Sequence, residues 1–410
     1  MIDVAKIRQD FPMLRGGKKM QGHPLIWLDN ASTTFKPDSV IRAVDAYYED
    51  FTSNSHRGDY DLCYEMDQRV LATRKAIASW IHADPSEIIF TAGATASLNL
   101  VAYGYGLTHL KEGDEILISE AEHASNVLPW YALAKRIGVK VRMIPLTKEG
   151  RITPENLEEA MSPRVKIVSL AHVGNVLGFL APAKELAKVA HAHGAIFVLD
   201  GAQSVPHMAV DVQDLDCDFL AWSGHKMCGP TGIGVLYGKR ALLEETDPYL
   251  RGGGMNVTFD ALGDASFLPP PERFEAGTQN LAGICGLKAA VDYLSSIGMD
   301  RINTYEKELK RYAVEKLKAT GNCAIYNEES EAGIVTFNVK GVFAQDAATY
   351  LNSKGIACRS GNHCAKMLPC HLGTPATIRA SFYFYTSKEE IDALADAVKK
   401  GGDYLDAYFN

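Results

Sequence analysis

The sequence has no excess of positive charge, no long apolar run and no paired cysteine motif, and each absence excludes a class of protein. Its 410 residues include 42 lysines and arginines and 50 aspartates and glutamates, giving a net charge of -8. Nucleic-acid binding needs a basic surface, so we expect no nucleic-acid partner. No apolar run approaches the roughly 20 residues that span a bilayer, and residues 1–14 lack the continuous apolar stretch of a signal peptide. We therefore expect a cytoplasmic protein with no membrane segment.

The eight cysteines are scattered and include no Cys-x-x-Cys pair. A chain of this length folds without disulfide staples, so reduced thiols in a cytoplasmic protein are the expected state. A zinc site made of Cys358, Cys364, Cys370, His363 and His371 is conceivable, but the spacing does not match a structural zinc pattern. We predict no metal site.

The middle of the chain predicts an α/β domain. Short β-rich apolar runs alternate with amphipathic helical patterns, one of which (PAKELAKVAHAHG) ends at Gly194. Such alternation is typical of a mostly parallel sheet covered by helices on both faces, here with seven strands. The last run follows its predecessor after a very short connection, which favours antiparallel pairing. The predicted strands are 86–91, 114–119, 140–146, 166–173, 195–203, 218–226 and 232–238.

The remaining sequence predicts a long loop and a smaller domain. Residues 251–280 are rich in glycine and proline and indicate an irregular, functional loop. Because 410 residues exceed what one core usually supports, we predict a large domain at 22–292 and a small α+β domain at 1–21 and 293–410. After the loop come two predicted helices, 281–298 and 300–320. The strand GIVTFNV, a helix at 344–353, the segment IACRSGNHCA, the strand TIRASFYFYT and a last helix at 387–401 then indicate the small α+β domain.

Lys226 stands in SGHKMCGPTGIG (223–234), where a strand ends in a glycine- and proline-rich turn. Desolvation at a strand end lowers the pKa of a lysine and makes the amine nucleophilic towards an aldehyde. Ser223 and His225 flank it as donors suited to a phosphate. A surface lysine beside a tight turn is the ordinary alternative, so the motif needs support from its surroundings.

Three further strand ends carry polar residues. Asp200 in DGAQS follows an apolar run and can keep a pyridine nitrogen protonated. TAGATASLNL (91–100) opens a helix after a strand, and its free N–H groups with the Thr95 hydroxyl form a phosphate cup. His123 in ISEAEHASN can stack on a ring or move protons. Taken singly, each feature has an ordinary explanation as a turn, a helix cap or a structural histidine. Taken together they indicate a ligand site, because ligands bind at the carboxyl ends of such strands.

Taken together, these segments resemble the class V aminotransferase group of fold-type I pyridoxal-5′-phosphate (PLP) enzymes. LDNASTT (28–34), HVGNVLG (172–178), DGAQS, SGHKMCGPTGIG and FEAGTQN (274–280) look like that group's recurring segments, and the resemblance covers nearly the whole chain. It implies PLP as the cofactor, with Lys226 carrying it as a Schiff base. It also implies a homodimer in which Thr278 reaches the phosphate bound to the neighbouring subunit.

The resemblance assigns further roles residue by residue. The phosphate would be bound at Ala94, Thr95, Ser223 and His225, and the ring would lie under His123. Asp200 would pair with the pyridine nitrogen and Gln203 would reach the phenolic oxygen. Asn175, Arg359 and Arg379 match positions that hold the substrate in that group. A guanidinium group suits a carboxylate because it can donate two parallel hydrogen bonds.

The segment CRSGNHCAK (358–366) narrows the reaction. It resembles the R-[ST]-G-H-H-C-A segment of Suf-type (group II) cysteine desulfurases, with Asn362 in place of the first histidine. Arg359 and His363 are surroundings that can lower the pKa of the Cys364 thiol. The resemblance implies that Cys364 takes sulfur from L-cysteine as a persulfide, leaving alanine, and passes it to an acceptor protein of a Suf-type system for iron–sulfur cluster assembly. Lys226 would abstract the Cα proton, and His123 would shuttle the thiol proton.

Other functions stay open at this point. A selenocysteine lyase would use the same scaffold and the same cysteine. A class V transaminase or epimerase would keep the PLP residues but give the Cys364 loop no role. A PLP-fold binding protein without turnover is the alternative outside enzymes.

Overall fold

The structure is a computed structural model that describes residues 2–55 and 58–400. Residues 401–410, which include the end of the predicted small domain and of the predicted last helix, lie outside the described part. None of the helices in the described part combines the length and the hydropathy that crossing a bilayer requires.

A large sheet organises the first three-quarters of the described chain and confirms the predicted α/β architecture. Its neighbouring strands pair in parallel, except that Gly234–Gly238 is antiparallel to the strands on both of its sides. The strands are shorter than predicted, ending at residues such as Asp200 and Ser223. Within the described residues the seven strands lie in the order Ile88–Thr91, Gly234–Gly238, Phe219–Ser223, Ile196–Asp200, Val165–Ala171, Glu115–Ser119 and Lys140–Ile144.

Both faces of this sheet are buried under hydrophobic clusters. Successive side chains of a strand point to opposite sides, so neighbouring residues of one strand belong to different clusters. Ile88 and Phe90 belong to one hydrophobic cluster, which includes residues of the helices Asp61–Ile81 and Leu281–Ile297. Ile89 belongs to the cluster on the other face. Continuous apolar runs therefore form strands here, whereas alternating runs would leave one face polar.

Residues 251–280 are not wholly irregular, which corrects the predicted loop. Asn256–Phe259 and Ala265–Phe267 form an antiparallel hairpin, and a 3₁₀ turn follows at Glu272–Phe274. The hairpin strands are short and carry exposed apolar side chains, with Phe259 73% exposed. Such short, unburied strands lack the apolar patterning from which sequence analysis recognises a strand.

The C-terminal part is an α+β unit with its own hydrophobic cluster. The predicted helices at 300–320 and 344–353 are Met299–Ala319 and Ala344–Ser353. The short strand Ile26–Trp27 pairs in parallel with Ile356–Ala357, so the N-terminal segment meets the C-terminal unit. The antiparallel sheet of this unit has the order Cys323–Ile325, Ile334–Val339, Thr377–Ser381 and Arg359–Gly361.

The remaining elements complete the secondary structure. A third two-stranded pair joins Lys19–Met20 and His23–Pro24. A π-helical turn, Val101–Gly106, continues the helix that begins at Ala94. Short 3₁₀ turns lie at Pro85–Glu87, Ala124–Asn126 and Gly224–Lys226. The other α-helices are Val4–Arg8, Pro12–Arg15, Asp38–Glu49, Ala94–Leu100, Leu107–His109, Leu128–Ile137, Pro154–Ala160, Ala183–Ala192, Val212–Leu215, Arg240–Glu244, Leu368–Leu372 and Lys388–Lys399.

Candidate active site

A cavity of about 240 Å³ lies at the carboxyl ends of the central strands. Ala171, Asp200 and Ser223 end three of these strands and line it, and the C-terminal unit closes its other side with two arginines. Parallel strands bring residues that are far apart in sequence to one edge of the sheet. The predicted site residues that line the cavity are Ala94, Thr95, His123, Asn175, Asp200, Gln203, Ser223, His225, Lys226, Arg359 and Arg379.

Lys226 and Asp200 form the electrostatic centre of the cavity. Burial lowers the pKa of Lys226 to about 8, although the charge of Asp200 acts in the opposite direction. Burial likewise raises the pKa of Asp200, while Lys226 and the N–H of Ala202, 2.9 Å from Oδ1, lower it. An amine with a pKa near 8 is partly neutral at physiological pH and can act as a nucleophile or a base.

The turn that carries Lys226 is held by residues that sequence analysis did not single out. The carbonyl of His225 accepts hydrogen bonds from the hydroxyls of Thr33 and Thr34 and from Nζ of Lys36, each at 3.1 Å. Burial lowers the pKa of Lys36 to about 8. The peptide joining His225 to Lys226 is therefore clamped from the N-terminal segment. The family resemblance of LDNASTT (28–34) was the available sequence signal for this contact, although it did not assign the segment a role.

The predicted phosphate cup is formed by the start of the helix Ala94–Leu100. Gly93 precedes this helix at φ +147°, and a side chain there would place Cβ 3.2 Å from Oγ of Ser223. The hydroxyl of Ser223 accepts from the N–H of Ala94 at 2.8 Å. The hydroxyl of Thr95 lies 2.7 Å from that of Ser125, a cavity residue that sequence analysis missed. Free N–H groups and hydroxyls at a helix start suit an anion.

Both cavity histidines are neutral. Burial, assisted by the charge of Lys226, lowers the pKa of His123 and of His225 to about 4. The backbone N–H of Ser125 donates to Nδ1 of His123 at 3.1 Å. Nδ1 is thus an acceptor, and the proton of the neutral ring is on Nε2. His123 accordingly offers one N–H donor to a reacting group.

Arg379 is fully buried and already partly paired within the protein. Its Nη1 donates to the carbonyl of Asn175 at 2.8 Å, and its Nη2 donates to Oδ1 of Asp29 and to the hydroxyl of Ser32, both at 2.9 Å. Its Nε has no partner among the described residues. Asp29 and Ser32 are further residues that sequence analysis missed, although both lie in the quoted segment LDNASTT (28–34).

Cys364 lies beside the cavity lining and contacts it through Arg359. Nη2 of Arg359 donates to Sγ of Cys364 at 3.1 Å, and the N–H of Ala124 donates to the carbonyl of Cys364 at 2.8 Å. Burial lowers the pKa of His363 to about 3, so this ring is neutral and Arg359 is the cation next to the sulfur. Asn362 is exposed and donates to the carbonyl of Pro375 at 2.9 Å. The one departure from the group II segment thus ties the loop to its neighbour.

Three predicted or suspected residues lie elsewhere. Thr278 is exposed and does not line this cavity; its hydroxyl accepts from Nδ2 of Asn54 at 3.1 Å. Cys358 packs against the C-terminal cluster, and burial raises its pKa, whereas Cys370 is exposed. All eight cysteines lie within the described ranges and are free. Among the described residues no group of three acidic, histidine or cysteine side chains is placed to hold a metal ion.

The residues present fit PLP. An amine, a carboxylate, a neutral imidazole and a helix start line one cavity, and these are the groups that suit an aldehyde, a pyridine nitrogen, a ring and a phosphate. In addition, Oε1 of Gln203 and Oδ1 of Asn175 are buried without a partner among the described residues. Buried polar groups normally have partners, so these atoms indicate a polar ligand.

The fold and the cavity together define a fold-type I PLP-dependent enzyme. The family model described as aminotransferase class-V matches residues 26–394, and the chain belongs to this family. A relative from Halalkalibacterium halodurans, named a probable cysteine desulfurase, is 47% identical over 409 residues and 100% of both chains.

Two solved structures are similar over nearly the full length. One is a cysteine desulfurase from Escherichia coli in an S-sulfonic acid form, with a TM-score of 0.90, 35% identity and 99% of each chain covered. The other is the apo cysteine desulfurase from Thermococcus onnurineus NA1, with a TM-score of 0.92, 38% identity and 98% of each chain covered.

Proposed function

We infer that the chain is a PLP-dependent cysteine desulfurase, which converts L-cysteine to L-alanine and takes the sulfur on Cys364. The observation that carries this inference is the hydrogen bond from Arg359, which lines the cavity, to the sulfur of Cys364. It places a thiol beside a cation at the edge of a PLP site. A transaminase or an epimerase gives such a thiol no role.

The cofactor-side residues have distinct tasks. Lys226 would bind the cofactor's aldehyde carbon, and Asp200 would keep the pyridine nitrogen protonated. The helix start at Ala94 and Thr95, with Ser223 and His225, would bind the phosphate, and Gln203 would contact the phenolic oxygen. When bound, PLP withdraws electrons from the bonds around Cα and Cβ of an amino acid.

The substrate is oriented by two groups with unused capacity. The unpaired Nε–H of Arg379 can donate to the carboxylate of cysteine, and so can the second N–H of Asn175 Nδ2, whose first N–H is donated to the carbonyl of His363. The amine of Lys226 then accepts the Cα proton, because its pKa near 8 leaves part of it neutral. His123, whose proton is on Nε2, donates that N–H to the sulfur of the substrate.

The sulfur-transfer step balances without an external oxidant. The sulfur of Cys364 attacks the sulfur of the substrate, an S–S bond forms and the S–Cβ bond breaks. The enzyme retains a persulfide, and the three-carbon fragment takes up a proton and leaves as alanine. Arg359, whose Nη2 donates to this sulfur at 3.1 Å, holds it beside the cavity for the attack.

Three finer features are part of the proposal. The chain acts as a homodimer in which Thr278, exposed and remote from its own cavity, serves the site of the partner. A Suf-type acceptor protein receives the sulfur for iron–sulfur cluster assembly in the cytoplasm, as the segment RSGNHCA suggests. The large domain comprises 22–292, and the small domain, 1–21 and 293–410, supplies the Cys364 loop.

The test is to incubate the holoenzyme with L-cysteine and a reductant and to measure alanine and sulfide together. Equal yields, with one added sulfur atom on the peptide 360–366 before reduction, are expected. Amino transfer to a keto acid without alanine would support the transaminase instead, and no product with any amino acid would support a binding protein. Much faster turnover of selenocysteine than of cysteine would assign a selenocysteine lyase.

A further inference from the structure

The turn at residues 174–178 is hydrogen-bonded to the C-terminal unit. Three successive carbonyls of this turn each accept a hydrogen bond from a buried side chain of that unit. The donors are Arg379 to the carbonyl of Asn175, Thr336 to that of Val176 and Asn327 to that of Leu177. A backbone held at three consecutive residues gives the side chain of Asn175 a fixed base.

From this base, Asn175 reaches the chain next to Cys364. Its Nδ2 donates to the carbonyl of His363 at 2.8 Å, and both residues are buried. His363 and Cys364 have φ values of +51° and +63°, in the left-handed region that residues with a Cβ avoid. Two such residues in succession persist only where surrounding contacts hold them.

A small set of hydrogen bonds holds this strained pair in place. Nε2 of the His363 ring lies 3.1 Å from the carbonyl oxygen and 2.9 Å from the hydroxyl of Thr377. The backbone and the sulfur are held separately: the carbonyl of His363 accepts from Asn175, the carbonyl of Cys364 accepts from the N–H of Ala124, and the sulfur accepts from Arg359. Of the side chains that donate to this pair, Arg359 and Asn175 line the cavity, and Asn175 is the uncharged one. We propose that Asn175 is a positioning residue for Cys364, which fixes the thiol beside Arg359 by holding the carbonyl of His363.

This positioning role is separate from holding the substrate carboxylate. Its importance for sulfur transfer rests on the proposed desulfurase function, which it deepens. One carboxamide then contacts both the substrate and the loop that must attack the substrate's sulfur. Without its N–H, the buried carbonyl of His363 loses its partner and the left-handed pair relaxes. The sulfur of Cys364 then leaves Arg359. A residue that only bound the carboxylate would leave the resting thiol unchanged.

The experiment measures the alkylation of Cys364 by iodoacetamide in the resting PLP holoenzyme, without substrate. Trypsin separates Cys364 (peptide 360–366) from the exposed Cys370 (peptide 367–379), which serves as an internal control. The variants are Asn175→Ala and the near-isosteric Asn175→Asp, which lacks the N–H and sets a carboxylate against the carbonyl. Both should change the Cys364 rate by about fivefold or more, the worth of a lost buried hydrogen bond, with the aspartate variant changed most.

Cys370 should react at the wild-type rate, and the cofactor absorbance of each variant is recorded so that rates are compared between proteins that carry PLP. Thr336→Val, which removes a support of the turn, should shift the Cys364 rate in the same direction by a smaller factor, and it tests the idea even where Asn175 variants fold poorly. A Cys364 rate within about twofold of wild type in the folded variants, with only a raised KM for cysteine, would overturn the proposal. Since alkylation needs no turnover, failure of the desulfurase assignment would be seen separately, as absence of alanine from the wild-type enzyme.

Discussion

Nη2 of Arg359 lies 3.1 Å from Sγ of Cys364 and donates a hydrogen bond to it. The same arginine lines the PLP cavity, and its Nη1 lies 3.5 Å from the hydroxyl of Ser32, which also contacts Arg379. The thiol is thereby linked to the groups that we propose hold the substrate. This contact distinguishes Cys364, the proposed sulfur acceptor, from the seven other free thiols.

Replacing Cys364 by alanine should abolish alanine formation from cysteine, by about a thousandfold or more, because a covalent nucleophile is lost. The cofactor absorbance should remain, since Cys364 is not among the residues that line the cofactor cavity. Cys370→Ala, which removes an exposed thiol six residues away, is the matched control and should keep full turnover. Undiminished alanine production by Cys364→Ala would contradict the assignment.

Lys226 should make reconstitution with PLP pH-dependent in a characteristic range. Burial lowers its pKa from 10.5 to about 8, so the cofactor-free enzyme should bind PLP faster as pH rises to about 8 and level off above it. Asp200→Asn should move the midpoint lower, because the charge of Asp200 raises the pKa of Lys226. The absorbance of the lysine-bound cofactor, followed at each pH for both proteins, measures this. Lys226→Ala should show none, and a midpoint near 10 would contradict the prediction.

Much of this site was predictable from the ends of strands. Asp200 and Ser223 each end a strand that neighbours the other, so parallel pairing alone brings them together. Local turn chemistry also indicated Lys226 and the helix start at Ala94. These signals are short-range, and the sheet converts them into one cavity.

The contacts around Cys364 and Arg379 could not be predicted in the same way. Arg379 pairs with Asp29 across 350 residues, and Asn175 meets His363 across 188. Neither pair leaves a periodic trace, because each depends on how the C-terminal unit docks on the sheet. The left-handed backbone conformation at position 364 was also not predictable, because the residue there is a cysteine and not the glycine that usually indicates such a conformation.

Glu275, in the segment that leads to Thr278, should be important for stability. It forms a buried pair with Arg74, with Nη2 and Oε2 2.7 Å apart, and it also accepts from the N–H of Phe90 at 2.8 Å. Glu275→Ala leaves a buried cation unpaired and should lower the free energy of unfolding by about 3–5 kcal/mol.

The control for this prediction is Asp292→Ala, which breaks the exposed pair with Lys288. Its effect should be about 0–1 kcal/mol. Urea unfolding of both variants, followed by circular dichroism, compares them directly. Equal losses of stability in the two variants would show that the Arg74–Glu275 pair does not have the stated role.

Lys310 should make stability rise with pH above neutrality. It is 3% exposed and donates to the carbonyls of Asn327 and Ile334 at 2.7 and 2.6 Å. Burial lowers its pKa from 10.5 to about 7, against the opposing charges of three nearby glutamates at 328, 329 and 331. Between pH 7 and 10 the unfolded chain therefore holds a proton that the folded protein does not. Folding is then favoured as pH increases, by at most about 1.4 kcal/mol per pH unit from this one group.

Lys310→Met removes the titrating amine while keeping a side chain of similar length. The free energy of unfolding of the wild type should rise relative to that of the variant from pH 7 to pH 9.5, while below pH 7 the two curves should run parallel. The difference between the two proteins at each pH cancels every other group that titrates in this range, including Lys226. Curves that stay parallel across the whole range would mean that the amine of Lys310 is already protonated in the folded protein, held by its two carbonyl acceptors and the three glutamates.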